Sequence, residues 1–256
     1  MKTFIIANQK GGVGKTTTAA ALAAGLTLRN YRVLMIDSDP QGNLSASAGI
    51  DPDSVLTLDD ILSGNRAIED VILKTESFGD IIPCSLSLAD ADRRLVDFRA
   101  HKILKNNLRR VAFNYDYCII DAPPSLGILS LNGFFASDWI IVPVNAAAFS
   151  LQGINSLVRI VNEVREENTG LSILGVLITR FNPRTNMGKD AVEALSVMVD
   201  QIGTVLLDSR IRQGVAIEAS QAEQRDLFSA YPKSGVAHDY DAFVEEILTR
   251  IKEDER

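Results

Sequence analysis

The chain opens with Thr3-Phe4-Ile5-Ile6-Ala7, then Asn8-Gln9-Lys10-Gly11-Gly12-Val13-Gly14-Lys15-Thr16-Thr17, and this stretch decides its fold class. Thr3 to Ala7 is a short apolar run of strand length. From Thr16 to Arg29 the sequence is Ala- and Leu-rich without proline, which predicts a helix. Between strand and helix lies a glycine loop. Glycines let backbone N–H groups converge on a phosphate without Cβ obstruction, and the helix N-terminus behind them adds its dipole. A lysine for the β and γ oxygens and a hydroxyl for Mg2+ complete the demand. Gly11, Gly12, Val13, Gly14, Lys15, Thr16 and Thr17 stand where that chemistry needs them.

The strict phosphate-loop pattern has a glycine where this chain has Gln9, so the match misses by one residue, and Lys10 is an added lysine. Lys15 and Mg2+ already neutralise much of a triphosphate, so a second lysine in the loop is open either to a second nucleotide or to a plain exposed loop position. The run KGGVGKTT resembles the deviant Walker A motif of the ParA/MinD family. By that resemblance Lys10 reaches across a homodimer to the partner's nucleotide.

Working outward, apolar runs of strand length alternate with longer amphipathic stretches, the pattern of βαβ units on a parallel sheet. Strands are expected at Thr3 to Ala7, Arg32 to Asp37, Gly79 to Pro83, Tyr117 to Asp121, Trp139 to Val144, Leu174 to Thr179 and Thr204 to Leu207. Helices are expected at Thr16 to Arg29, at Ser87 to Arg110 with Ser87 as N-cap, and from near Leu151, Lys189 and Ala237. The fold class is therefore α/β: a doubly wound, mostly parallel sheet with helices on both faces, a P-loop NTPase of the deviant Walker A type. With no internal repeat or Gly/Ser linker, residues 1–256 are expected to form a single domain, with 252–256 a frayed tail.

In open parallel sheets ligands sit beyond the carboxyl ends of strands, so acidic residues there are candidates for metal and water handling. Asp37 and Asp39 end the second strand in IDSDPQGN, and Asp121 ends CIID before Ala122-Pro123-Pro124-Ser125. These segments resemble the two switch segments of ParA-type partition ATPases. The resemblance implies that Asp39 orients or activates the attacking water and that Asp121, through a water, supports Mg2+ together with Thr16. For Asp37 a metal role and a capping or hydrogen-bonding role both stand open. No Asn-Lys-x-Asp tetrapeptide for guanine occurs, which favours ATP, and RFNPRTN at 180–186 resembles the family's adenine-side loop with Asn182 at its polar position.

The resemblance covers almost the whole chain and matches the shorter, Soj-like form, which lacks an amino-terminal helix-turn-helix module. It implies an ATPase with ATP and Mg2+ as cofactors, weak without a partner, that forms an ATP-dependent homodimer, binds double-stranded DNA nonspecifically and is reset by a ParB-type adaptor. Arg180, Arg184, Lys189, Arg210 and Arg212 lie in segments that the family places toward DNA. A second run, Arg93, Arg94, Arg99, Lys102, Lys105, Arg109 and Arg110, reads as a solvated helix face.

Composition limits the alternatives. The 256 residues carry 26 Lys and Arg against 33 Asp and Glu, a net charge of −7, which opposes coating of nucleic acid by bulk charge and leaves room for a local basic patch. The two cysteines, Cys84 and Cys118, fit a reducing, cytoplasmic setting and are poorly placed for an iron–sulfur reductase; nucleoid association is what the family resemblance implies. A MinD-like, membrane-cycling ATPase would need a basic amphipathic C-terminal helix; DAFVEEILTRIKEDER, 241–256, has an acidic face, so no membrane is expected. A small-molecule ligase or kinase on this fold would need an acceptor pocket that the sequence does not identify.

Overall fold

The computed structural model describes residues 1–75, 77–97, 99–146, 151–183 and 186–254, the side chains of 151, 152 and 186–191 aside. Eight strands form one sheet: β1 Lys2–Ile6, β2 Val33–Asp37, β3 Leu73–Lys74, β4 Asp80–Ile82, β5 Tyr117–Asp121, β6 Trp139–Asn145, β7 Ser172–Phe181 and β8 Leu206–Arg212, in the order β3-β4-β2-β5-β1-β6-β7-β8. Every pairing is parallel except β3 with β4. The chain leaves β1 for β2 on the far side of β5 and later returns to lay β6 on the other flank of β1. The crevice where the winding reverses is thus at the carboxyl end of β1, where the glycine loop begins.

Both sheet faces are covered, so the strands are apolar on both sides. Ile5, Leu34, Ile36 and Ile120 pack on one face with Phe134 and Leu157 from the helices Ile128–Ala136 and Leu151–Arg165. Phe4, Ile6, Met35 and Ile119 pack on the other with Leu22 from Lys15–Leu28 and Phe243 and Ile247 from Gly235–Asp254.

The seven expected strands are present, and β7 and β8 reach further than expected, to Phe181 and Arg212. The sequence reading missed β3, two residues that pair antiparallel with β4 at the sheet edge. The single helix expected over Ser87 to Arg110 is instead four pieces: 3₁₀ turns at Leu86–Asp90 and Ala100–Lys102, and helices Ala91–Arg94 and Ile103–Val111. The first helix stops at Arg94, and Asp97 shapes the restart. Its Oδ1 accepts from Arg99 N at 2.7 Å and its carbonyl from Ala100 N at 2.9 Å, a local turn that competes with the helix ladder. The first turn starts after Ser85, so Ser87 is not the cap. The tail expected to fray from Lys252 is helical through Asp254, whose Oδ2 accepts from Trp139 Nε1 at 2.8 Å. Among the described residues no helix is long and apolar enough to cross a membrane.

Candidate nucleotide site

The phosphate loop is shaped by its glycines and held by two polar side chains that the sequence reading passed over. Gly12 and Gly14 have φ of 71° and 87°, a left-handed backbone in which a Cβ is strained, and Gly14 begins the helix by accepting from Thr18 N at 2.9 Å. Asn8, at the end of β1, donates through Nδ2 to Pro143 O at 2.8 Å and accepts from Lys10 N at 3.0 Å, tying the loop's entry to β6. Thr179 on β7 holds its Oγ1 2.9 Å from Val13 O and 3.1 Å from Val144 O, where its one proton serves either carbonyl. A lone polar residue closing an apolar strand beside a phosphate loop was the available signal for both.

The two lysines of the loop differ. Lys15 is buried, with Nζ 3.3 Å from Lys10 O. Burial lowers its pKa, while the charges of Asp121 and Asp39 pull the other way. Lys10, Gly11 and Gly12 are exposed at the loop's outer edge.

The three carboxylates come together at the carboxyl ends of β2 and β5, where Asp37 and Asp121 stand opposite each other in register. Asp37 is fully occupied. Its Oδ2 accepts from Ser45 N at 2.8 Å and Ser45 Oγ at 2.7 Å, and its Oδ1 from Asp39 N at 3.2 Å. Of the two roles open for Asp37, the geometry favours the hydrogen-bonding one: it fixes the start of the Asp39 turn and the helix Asn43–Ser47. Burial pushes its pKa up to about 6, against those three hydrogen bonds. Ser45 carried no signal in the sequence.

Asp121 is the opposite case. It is fully buried, and neither carboxylate oxygen has a hydrogen-bond partner among the described residues. Burial, then the charge of Asp37, holds its pKa well above the carboxylate range, against the Thr16 hydroxyl and Lys15. Two orphaned buried oxygens beside a hydroxyl and a lysine fit the surroundings of a hydrated Mg2+ that takes its other ligands from phosphates. Asp39, 8% exposed, has Oδ1 3.1 Å from Gln41 N and lines the cleft directly. That cleft, of about 710 Å³, opens over the loop between Lys15, Thr16, Asp39, Pro124, Arg180 and Gln221.

Asn182 is exposed just beyond β7 and does not line this cleft. The residues expected to face DNA are scattered in circumstance. Arg184 lies outside the described residues, and Lys189 falls on the helix Asn186–Gln201 with its side chain outside them. Arg210 is half-buried, with Nη1 3.0 Å from Ser209 O. Arg212 makes a two-pronged pair with Asp239 at 2.7 and 2.8 Å. In the second basic run, Arg94 pairs with Asp59, Lys102 with Glu167 and Arg110 with Glu69, as a solvated face would.

Comparison with known proteins identifies the family. A family model described as an AAA domain matches residues 1–173. The chromosome-partitioning ATPase Soj of Treponema pallidum is 34% identical over 252 residues, covering 97% of this chain and 98% of that protein. The sporulation initiation inhibitor protein Soj of Bacillus subtilis is 42% identical over 196 residues, covering 75% of this chain and 78% of that one. Among solved structures, cobyrinic acid a,c-diamide synthase of Mycobacterium smegmatis with bound ADP and magnesium matches with a TM-score of 0.86 and 31% identity, over 98% of this chain and 96% of that one. The same synthase is known with an ATP analogue and magnesium. The chain belongs to the Soj/ParA family of partition ATPases, an ATPase family with ATP and Mg2+ as its cofactors.

Proposed function

We propose that this chain is a single-domain, cytoplasmic and nucleoid-associated partition ATPase whose assembly state follows its nucleotide. The ATP form is a sandwich homodimer in which Lys10 meets the partner's nucleotide. That dimer binds double-stranded DNA without sequence preference, and hydrolysis stimulated by a ParB-type adaptor returns it to the monomer. One observation carries the reading: of two lysines five residues apart in one phosphate loop, Lys15 is buried in the site and Lys10 is exposed at its edge.

Within the site the roles divide by chemistry. The backbone of Gly11 to Lys15 and the Lys15 ammonium hold the phosphates. Bound Mg2+ supplies neutralisation of charge on the β and γ oxygens; Thr16 and, through a water, Asp121 are the residues that would hold it. Asp39 orients the attacking water and accepts its proton as the bond to the γ-phosphorus forms and the bond from that phosphorus to the β–γ bridging oxygen breaks, with ADP as the leaving group. Asp37 keeps the Asp39 turn in place.

A MinD-like role is not favoured by the C-terminal helix, whose apolar stripe of Val236, Tyr240, Phe243, Val244 and Ile247 is buried against the core and presents nothing to lipid. The activity named for the M. smegmatis synthase suggests a second reading, ATP-driven amide formation. Cys84 and Cys118 are both fully buried, with thiol pKa values pushed up by burial, so neither serves as a nucleophile for releasing ammonia from an amide donor. A coupled ATPase assay with and without duplex DNA separates the two readings.

The direct test of the dimer is Lys10→Ala. The variant should bind ATP as a monomer, within about threefold of wild type, and fail to dimerise in sedimentation with ATP. Normal dimerisation would refute the crossing role.

A further inference from the structure

Among the described residues three non-glycines have left-handed backbone, Asn30, Arg180 and Gln224, and two of these, Arg180 and Gln224, line the nucleotide cleft. Asparagine visits that region readily; arginine does so at a cost the surrounding structure must meet, and such residues gather at ligand sites. For Arg180, with φ of 50°, the cause is a bulge. β7 pairs Ile178 with Arg210 and then Phe181 with Arg212, three steps against two, so one extra residue is accommodated at the Thr179–Arg180 step. Bulges re-aim side chains beside functional sites. Here Thr179 turns inward to Val13 and Val144, and Arg180 stands exposed on the cleft wall.

Arg180 also differs from the arginines near it. Arg212 is matched by Asp239, whereas the Arg180 guanidinium has neither an ion pair nor a hydrogen bond among the described residues. It shares two cavities with Gly14 and Thr17: the large cleft, and an adjoining recess of about 50 Å³ that includes Ile211, Gly214 and Glu218, the last making no ion pair with Arg180. Asp39 lines the first and not the second. An uncompensated guanidinium beside the helix N-terminus, at the end of the site away from the water-handling carboxylate, suits the phosphate oxygens that ADP and ATP have in common.

We propose that Arg180 is a nucleotide-binding residue that contacts the phosphates shared by ADP and ATP, and not a DNA contact. The inference rests on the ATP reading above. Arg180→Gly and Arg180→Asn both tolerate left-handed backbone, so the fold is kept while the guanidinium is lost. In calorimetry with Mg2+, both variants should bind ADP and ATP about tenfold more weakly than wild type, with the ratio of the two affinities unchanged. The salt slope of DNA binding by the nucleotide-saturated protein should match wild type. ADP affinity within about twofold of wild type in both variants would overturn the proposal, and a shallower DNA slope alongside it would return Arg180 to the DNA surface. A loss confined to ATP would overturn the assignment to the shared phosphates. Failure of the wild-type protein itself to bind ADP would remove the nucleotide reading, and this inference with it.

Discussion

Cations in two regions of this molecule keep opposite company. Along residues 93–110, Arg94, Lys102 and Arg110 each face a carboxylate from another segment, Asp59, Glu167 and Glu69. Over the phosphate loop, Lys15 and Arg180 meet no carboxylate at ion-pair distance among the described residues, and Lys15 is buried as well. Exposed pairs of the first kind add little to stability and keep a face solvated. Lys15 is kept charged against its burial, a cost to the empty protein that is recovered when a polyanion arrives. The difference says more about function than the number of positive charges in either region.

Breaking the second region should have the largest effect. Lys15→Ala should weaken ATP binding by about 100-fold or more in calorimetry, since the β and γ phosphates then face a loop without its ammonium. Its thermal midpoint without nucleotide should not fall, because the lost group is a buried cation disfavoured by its surroundings. Lys102→Ala, in the compensated region, should leave ATP affinity within about twofold. ATP affinity within about threefold of wild type in Lys15→Ala would erase the contrast.

Asp39→Ala sharpens the distinction between holding phosphates and handling water. ATP binding should stay within about threefold, turnover should fall about 100-fold, and the ATP dimer should accumulate in sedimentation. Stimulated turnover close to wild type would transfer the role to another carboxylate.

The two sheet-end carboxylates that face each other, Asp37 and Asp121, explain where sequence reading succeeded and where it stopped. The strand-loop-helix order, Gly12 and Gly14, and the Asp residues at strand ends were legible because each has a local signature: period, a glycine-lysine loop motif, or an acid after an apolar run. The occupancy of Asp37 was not, since it depends on Ser45, eight residues on and across a turn. The same limit hid Thr179, whose partner Val13 is 166 positions away. The restart at Asp97 was missed for another reason: charge periodicity alone does not register a side chain that competes for backbone N–H groups. Asp59, Glu69 and Glu167, which compensate the basic run, come from elements that only the tertiary fold brings near.

A smaller effect is expected from pH. Burial raises Asp37 to about 6 in the folded chain, above its unfolded value near 3.8. The native state therefore holds this proton more tightly, and its stabilising effect is complete below about pH 4 and lost as pH rises through about 6. In thermal melts without nucleotide, wild type should lose stability relative to Asp37→Asn between about pH 4 and pH 7. A constant offset across that window would show that Asp37 is not held protonated by burial.

The most direct test of the account is an anisotropy titration of duplex DNA over a salt series with ATP, with ADP and without nucleotide. A net charge of −7 gives the monomer poor general affinity, whereas an ATP dimer sets two local basic patches side by side. The account predicts ATP-dependent binding, with a log–log salt slope of about −4 to −5 for about four to six neutralised phosphates and little variation with sequence. Equal affinity in all three nucleotide states, or tight binding confined to one sequence, would contradict it.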